Sequence, residues 1–326
     1  MTDSVSRGGL LFRCLDRLFI LRPAVMVPLW VFFVSGATGA LRASGHAGPM
    51  LLPPRTVAIG LAAMSAILGG GYLLNQIVDV EGDRANDKLF FLPRELISAG
   101  SARAELAVVW LIAAAIALAL PVAFQAVAVA ALVLNVTYSS RPIRAKARFP
   151  LDLIWNGLGF GLVATFSGWA TVSPPGLRCL QLGFAYTLAV AGVTASTTIP
   201  DLKGDSATGL RTTAVVLGRH RTSCIAVLLM ALAALTGLVI RDPVASVGSL
   251  LSLPMLIRAH VTGSSRDRLA ASQVSVGVFC LLVSIRAPFL LALVALVVLG
   301  SRLYYRRRFG MTYPELGAER ALRSVR

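Results

Sequence analysis

The chain has 326 residues, 56% of them hydrophobic and 14% charged, with a mean hydropathy of +0.76. Globular domains carry about 25% charged residues, so a soluble fold is excluded and a single all-α transmembrane domain over residues 1–326 is expected. The net charge of +16 suits solvated loops beside anionic lipid headgroups, and no nucleic-acid-binding motif accompanies it.

In chain order, apolar stretches run at about 18–40, 57–79, 105–120, 121–137, 151–172, 179–200, 223–240, 243–259, 268–285 and 287–304. Most approach the length that spans a bilayer as a helix. The 105–137 run is too long for one crossing and carries Pro121, so it reads as a tight hairpin. Residues 269–304 read either as one helix kinked at Pro288 or as two short spans split by Arg286. Of the 31 Lys and Arg, all but Arg42, Arg55, Arg178, Arg241 and Arg286 fall in the N-terminus, the alternate loops after segments 2, 4, 6 and 8, and the tail. The positive-inside rule assigns those regions to the cytoplasm and favours two final crossings. Residues 1–17 are then a cytoplasmic N-terminus and 305–326 a basic cytoplasmic tail, and the setting expected is a bacterial inner membrane. The first apolar run lacks a small-residue cleavage site, so no cleavable signal peptide is expected.

An Asp at the centre of a membrane helix costs roughly 2.5–3.5 kcal/mol on insertion scales, yet acids cluster at two segment ends. Segment 2 ends in Asn75-Gln76-Ile77-Val78-Asp79-Val80-Glu81-Gly82-Asp83, and segment 6 in Asp201-Leu202-Lys203-Gly204-Asp205. Both contain D-x-x-G-D, 122 residues apart, on segments that descend in the same direction. If the helices continue, Asn75, Asp79 and Asp83 share a stripe about 12 Å long, and Asp201 and Asp205 a shorter one. Carboxylates held so close repel unless a cation lies between them. Hard oxygen ligands on facing helices suit Mg²⁺, commonly held by carboxylates and substrate phosphates.

Basic groups flank these acids: Arg84, Lys88 and Arg94, then Tyr138-Ser139-Ser140-Arg141-Pro142-Ile143-Arg144-Ala145-Lys146-Ala147-Arg148. The three lysines, Lys88, Lys146 and Lys203, all lie in these loops, as point charges suited to phosphate. Acids for metal, metal and bases for phosphate, and an apolar chamber beside them select an anionic head with a hydrocarbon tail, such as an isoprenyl diphosphate. Four cysteines (Cys14, Cys179, Cys224, Cys280) lack metal-ligand spacing, and His46, His220 and His260 read as surface residues without convergent partners. No Ser–His–Asp arrangement, Walker loop or alcohol-phosphotransferase pattern is present.

These residues resemble the UbiA-type intramembrane prenyltransferase superfamily. Asn75, Asp79 and Asp83 match its N-D-x-x-D-x-x-x-D motif, with Gln76 in place of an Asp, and Asn86 and Lys88 resemble its N-x-K stretch. Tyr138, Ser139, Pro142, Arg144 and Lys146 resemble its Y-S-x-x-P-x-[KR]-x-K loop. Asp201 to Gly218 resemble D-x-x-G-D-x-x-x-G-x-x-T-x-A-V-x-L-G, with Thr198 where many members carry an acid. Arg22-Pro23 resembles the Arg-Pro that opens the first helix. The resemblance implies nine helices around a central cavity, whereas the charge count suggests a tenth. It implies Mg²⁺ held by Asp79, Asp83, Asp201 and Asp205 with Asn75, and diphosphate held by Asn75, Lys88, Tyr138, Arg144 and Lys146. The expected reaction moves an isoprenyl group to a lipophilic acceptor, of aromatic or quinone-precursor type, with release of diphosphate. Trp155, Phe160, Phe166 and Phe184 are candidate chamber walls, and Gly157, Gly159 and Gly161 allow either close helix approach or room for the prenyl chain. A membrane terpene cyclase and, more remotely, a cation-coupled carrier are the alternatives. Membrane lipid surrounds the chain, and no obligate protein partner is expected.

Overall fold

The computed structural model describes residues 9–85 and 91–314, with the backbone alone for 82–85. A short amphipathic helix, α1 (Leu10–Phe19), turns at Arg22 into a 3-10 segment (Pro23–Met26) and then α2 (Val27–Ala43). The turn is sharp because Arg22 adopts φ 57°, ψ 53°, the left-handed region that costs an L-residue about 1–2 kcal/mol. Then follow α3 (Arg55–Ala85), α4 (Ala99–Leu118) and α5 (Val122–Ser139). Pro121 caps the start of α5 and closes the hairpin expected there. The 151–172 stretch forms α6 (Leu151–Asn156), a π turn (Gly157–Val163) and α7 (Ala164–Ala170) in one continuous rod.

The remainder comprises α8 (Leu177–Thr198), the short α9 (Leu202–Ala207), α10 (Thr213–Val239), α11 (Pro243–Thr262), α12 (Ser265–Ser284) and α13 (Phe289–Phe309). The last two are separate helices, as the charge asymmetry favours. Among the described residues, nine helical spans are long and apolar enough to cross a membrane. The α6–π–α7 rod adds a further apolar segment of similar length, so each of the ten stretches emerges as helix. The chain is an integral membrane protein, and among the described residues one isolated β-bridge, Arg148 with Arg211, joins two loops.

Small residues bring the helices together. A Cβ on Gly36 of α2 would overlap the Thr165 carbonyl of α7, and one on Gly168 the Phe33 carbonyl; such contacts replace the hydrophobic effect as the packing force within lipid. Away from the basic loops, Tyr186 bonds Ser35 Oγ at 2.7 Å and donates to Asp242 Oδ1 at 3.0 Å. Asp242 in turn caps α11, accepting from Ala245 N at 2.7 Å. At the basic end, α13 is latched to α1: Tyr304 Oη donates to Asp16 Oδ1 at 2.5 Å, and Arg308 donates to both Asp16 oxygens at 3.1 and 3.2 Å. Phe19 stacks on Tyr304 at 3.9 Å, so Asp16 is buried yet paired, the condition under which a buried charge is tolerated.

Candidate active site

A cavity of about 370 Å³ opens among α2, α3, α5, the π turn, α8 and α12. Its polar mouth holds Arg22, Asn75, Tyr138 and Asn156, and its wall runs along α3 from Asn75 past Gly71 and Leu68 to Met64. The eleven helical rises from Asn75 to Met64 give a depth of about 16 Å. Phe32, Phe160 and Phe279 face it from the sides, as does Trp155. Phe166 instead joins the packed core, and Phe184 is 53% exposed, so neither is chamber wall; both sit at helical spacing that sequence cannot orient. The glycines divide between the two readings. Gly157 and Gly161 press on Thr187 of α8, whereas Gly159 has open space at its Cβ position and lines the cavity. Residues two apart on a helix lie on opposite faces, which sets Gly159 against Gly157 and Gly161; the π turn that holds all three is a feature frequent at functional sites.

At the mouth, α3 stays helical through Ala85, so Asn75 and Asp79 fall on one face as the spacing predicts. Lys146 Nζ donates to Asn75 Oδ1 at 2.5 Å and also pairs with Asp79 Oδ2. Arg144 Nη2 donates to Asp79 Oδ1 at 3.1 Å, and Ser139 Oγ to Asn75 Oδ1 at 3.1 Å. Arg144 is aimed there by a left-handed backbone (φ 46°) that opens the 3-10 turn Ala145–Ala147. Non-glycine residues in that region concentrate at functional sites. Tyr138 Oη accepts from Asn156 Nδ2 at 3.3 Å. Asp83 lies one helical turn beyond Asp79, but its side chain, like Lys88 as a whole, is outside the described residues.

The second motif departs from the continuous helix considered above. Pro200 lacks an N–H and its ring opposes the preceding turn, so α8 stops at Thr198 and α9 restarts after Asp201. Asp201 and Asp205 nevertheless remain one turn apart, with Asp205 N donating to Asp201 O at 2.9 Å. Thr212 Oγ1 donates to Asp205 Oδ2 at 3.1 Å. The two motifs are stitched together through the basic loop: Arg211 N donates to Ala147 O at 3.0 Å and Phe149 N to Arg211 O at 2.7 Å. The loop thus holds Asp79 through Arg144 and Lys146 and the tail of the second motif through Ala147 and Phe149, so both acidic motifs border the same basic loop.

Motif reading misses Asp152 and leaves the contacts of several residues it names undetermined. Asp152 is buried on α6 and accepts from Thr213 N at 2.7 Å and Thr213 Oγ1 at 2.6 Å, capping α10 where Thr212 makes no side-chain cap. A lone acid at the start of an apolar segment is its only sequence signal. Arg22 lines the cavity with its guanidinium 5.5 Å from the Tyr72 ring centre. Gln76 is 2% exposed and donates to the carbonyls of Ile20 and Tyr72 at 2.8 and 3.1 Å. It therefore points away from the mouth, and two acceptors explain an amide where a carboxylate would repel. Thr198 donates to Ala195 O at 3.0 Å within its own helix. His220 and Cys224 are exposed, as the surface reading expects, but with His260 they converge on one another, which it does not.

The fold and this mouth define a membrane-embedded bundle with one apolar chamber under paired carboxylates and bases. Residues 29–280 match the UbiA prenyltransferase family, and the chain belongs to that family. It is 33% identical over 196 residues to the digeranylgeranylglyceryl phosphate synthase of Halobacterium salinarum, covering 57% of this chain and 66% of that one. It is 26% identical over 194 residues to the bacteriochlorophyll synthase 34 kDa chain of Chloroflexus aurantiacus, covering 59% of this chain and 60% of that one. The chain thus spans somewhat less than two thirds of these relatives' lengths. In fold it is similar to a UbiA homologue from Archaeoglobus fulgidus solved with DMAPP and Mg²⁺, at TM-score 0.60 and 18% identity, covering 83% of this chain and 99% of that one. Helix α13 lies beyond the matched residues 29–280.

Proposed function

We propose that this chain is a Mg²⁺-dependent prenyltransferase that moves an isoprenyl group from its diphosphate to a lipophilic acceptor of aromatic or quinone-precursor type. The observation that carries this reading is a basic loop bound on one side to Asp79 and on the other to the tail of the second acidic motif, beside an apolar chamber whose lining includes Asn75 and Thr197. Family membership supports it, as do the synthases among its relatives and the DMAPP and Mg²⁺ of the Archaeoglobus neighbour. The reaction would take place at the cytoplasmic side of a bacterial inner membrane, where the basic loops belong by charge.

The donor set fits magnesium: carboxylates of Asp79, Asp83, Asp201 and Asp205, with the Asn75 amide oxygen, are hard oxygen ligands. When bound, Mg²⁺ would act as a Lewis acid toward the diphosphate oxygens. Arg144 and Lys146 already neutralise Asp79, so an arriving diphosphate exchanges one anionic partner for another without stranding either base. With Lys88 and Arg22, they oppose the charge that grows on the leaving diphosphate as the allylic C–O bond breaks, where preorganised cations are most effective. Tyr138 supplies a hydroxyl beside the same oxygens. The chamber excludes water from the allylic cation, and Phe32, Phe160 and Phe279 offer π-faces to it. Among the described residues lining the chamber the one cation is Arg22, while Asn135 and Thr197 offer neutral hydrogen bonds, which favours an uncharged acceptor.

The test incubates purified protein with Mg²⁺, labelled diphosphates of several lengths and a lipophilic extract, and identifies products by mass. A prenylated acceptor is expected; a cyclic hydrocarbon formed without acceptor would identify a terpene cyclase instead. Asp79→Asn and Asp201→Asn should each abolish diphosphate release in a folded protein. Full activity in both would remove the metal assignment.

A further inference from the structure

Outside the chamber, α10 and α11 bring together a second set of metal-competent side chains, chemically unlike the acids at the mouth. His220 and Cys224 are one turn apart on α10, just after Gly218 (φ 78°) breaks that helix. His260 lies near the end of the neighbouring α11. Cys224 Sγ is 3.8 Å from His220 Nε2 and 4.0 Å from His260 Nε2, and the three ligand atoms lie within 4.8 Å of one another. The two imidazole rings are tilted with centres 4.9 Å apart, and His260 Nδ1 is buried without a hydrogen-bond partner.

We propose that His220, Cys224 and His260 form a binding site for a thiophilic transition-metal ion of the zinc class, joining α10 to α11. Tetrahedral zinc with Zn–S near 2.3 Å and Zn–N near 2.0 Å sets S···N edges of about 3.6 Å. The two S···N separations of 3.8 and 4.0 Å approach that edge, and rotation of the imidazoles would close the remaining N···N pair, which lies within 4.8 Å. Two imidazoles and a thiolate favour Zn²⁺ or Cu⁺ over Mg²⁺, which prefers oxygen. The site therefore does not compete with the mouth for its metal. His220 and Cys224 are exposed, which gives the ion an entry path and leaves the fourth position to water. On binding, the Cys224 S–H gives its proton to solvent and the S–metal bond forms, with no change of oxidation state. The ion would fix the first turn of α10 just beyond the break that ends the second acidic motif's tail.

Co²⁺, a spectroscopic stand-in for Zn²⁺, provides the test on the full-length protein in detergent with excess Mg²⁺. One equivalent should give a thiolate-to-cobalt charge-transfer band and the visible bands of a tetrahedral centre, both displaced by Zn²⁺. Cys224→Ser should abolish the charge-transfer band, and His260→Ala should weaken Zn²⁺ binding by about tenfold or more, since even outer-shell changes cost 10–100-fold. Both variants should keep wild-type Mg²⁺-dependent diphosphate release, which verifies their fold. Absence of the band in the wild type, or its survival in Cys224→Ser, would overturn the proposal. So would unchanged Zn²⁺ affinity in His260→Ala, because that result leaves the ion on α10 alone and removes the link to α11.

Discussion

Asp152 offers a graded perturbation of the second motif from a residue that belongs to neither acidic repeat. Its two oxygens accept from Thr213 N at 2.7 Å and Thr213 Oγ1 at 2.6 Å, with the residue 3% exposed. In Asp152→Asn the amide oxygen still accepts from Thr213 N, and the hydroxyl can turn to accept from the new NH₂. Only the charge assistance is lost, about 1–2 kcal/mol from the difference between charged and neutral bonds. Asp152→Val removes both acceptors and leaves the first N–H of α10 buried and unpaired, at about 3–5 kcal/mol. At roughly 2 °C per kcal/mol for a chain of this size, thermal midpoints should fall by about 2–4 °C and about 6–10 °C respectively. Because the adjacent Thr212 holds Asp205, the Val variant should also need more Mg²⁺ for half-maximal diphosphate release, at temperatures where it remains folded. An Asp152→Val protein with a midpoint within about 1 °C of wild type and an unchanged Mg²⁺ requirement would refute the coupling.

Gln76→Glu replaces a donor with an acceptor facing the Ile20 and Tyr72 carbonyls, and should cost about 2–3 kcal/mol. A thermal melt that matches wild type would show that those bonds do not hold the α1–α3 junction. Gly159→Leu should fold normally, since nothing lies within 4 Å of its Cβ position, but should fill the chamber. Activity should fall by about tenfold or more with the longest diphosphate accepted, the order of a methylene-scale misfit, and much less with the shortest. An unchanged chain-length profile would remove Gly159 from the substrate path.

The sequence carries the membrane spans and the address of the site because lipid enforces both. Apolar stretches must be helices, and acids at their ends stand out against a composition that otherwise avoids charge. Pro121 marks its hairpin for the same reason that Pro200 ends α8: each lacks an N–H to continue a helix. Helical spacing sets Gly159 opposite Gly157 and Gly161, but which of those two faces packs on α8 and which faces the chamber is not legible in sequence. Gln76 reads as a lost acid until its carbonyl partners are known. The His220–Cys224 pair is legible in hindsight as an i, i+4 couple on a helix, but its third member, His260, comes from another helix. Asp152 acts through a long-range contact with Thr213 that no local pattern encodes.

The central claim is that α3 and α9 grip one metal–diphosphate unit between them. A structure determined with Mg²⁺ and an unreactive isoprenyl diphosphate analogue tests it most directly. The account predicts metal–oxygen contacts of about 2.0–2.1 Å from Asp79 on one side and from Asp201 or Asp205 on the other, with the prenyl chain running past Gly159. Metal held by one helix alone, or a diphosphate seated away from Lys146 and Arg144, would contradict it.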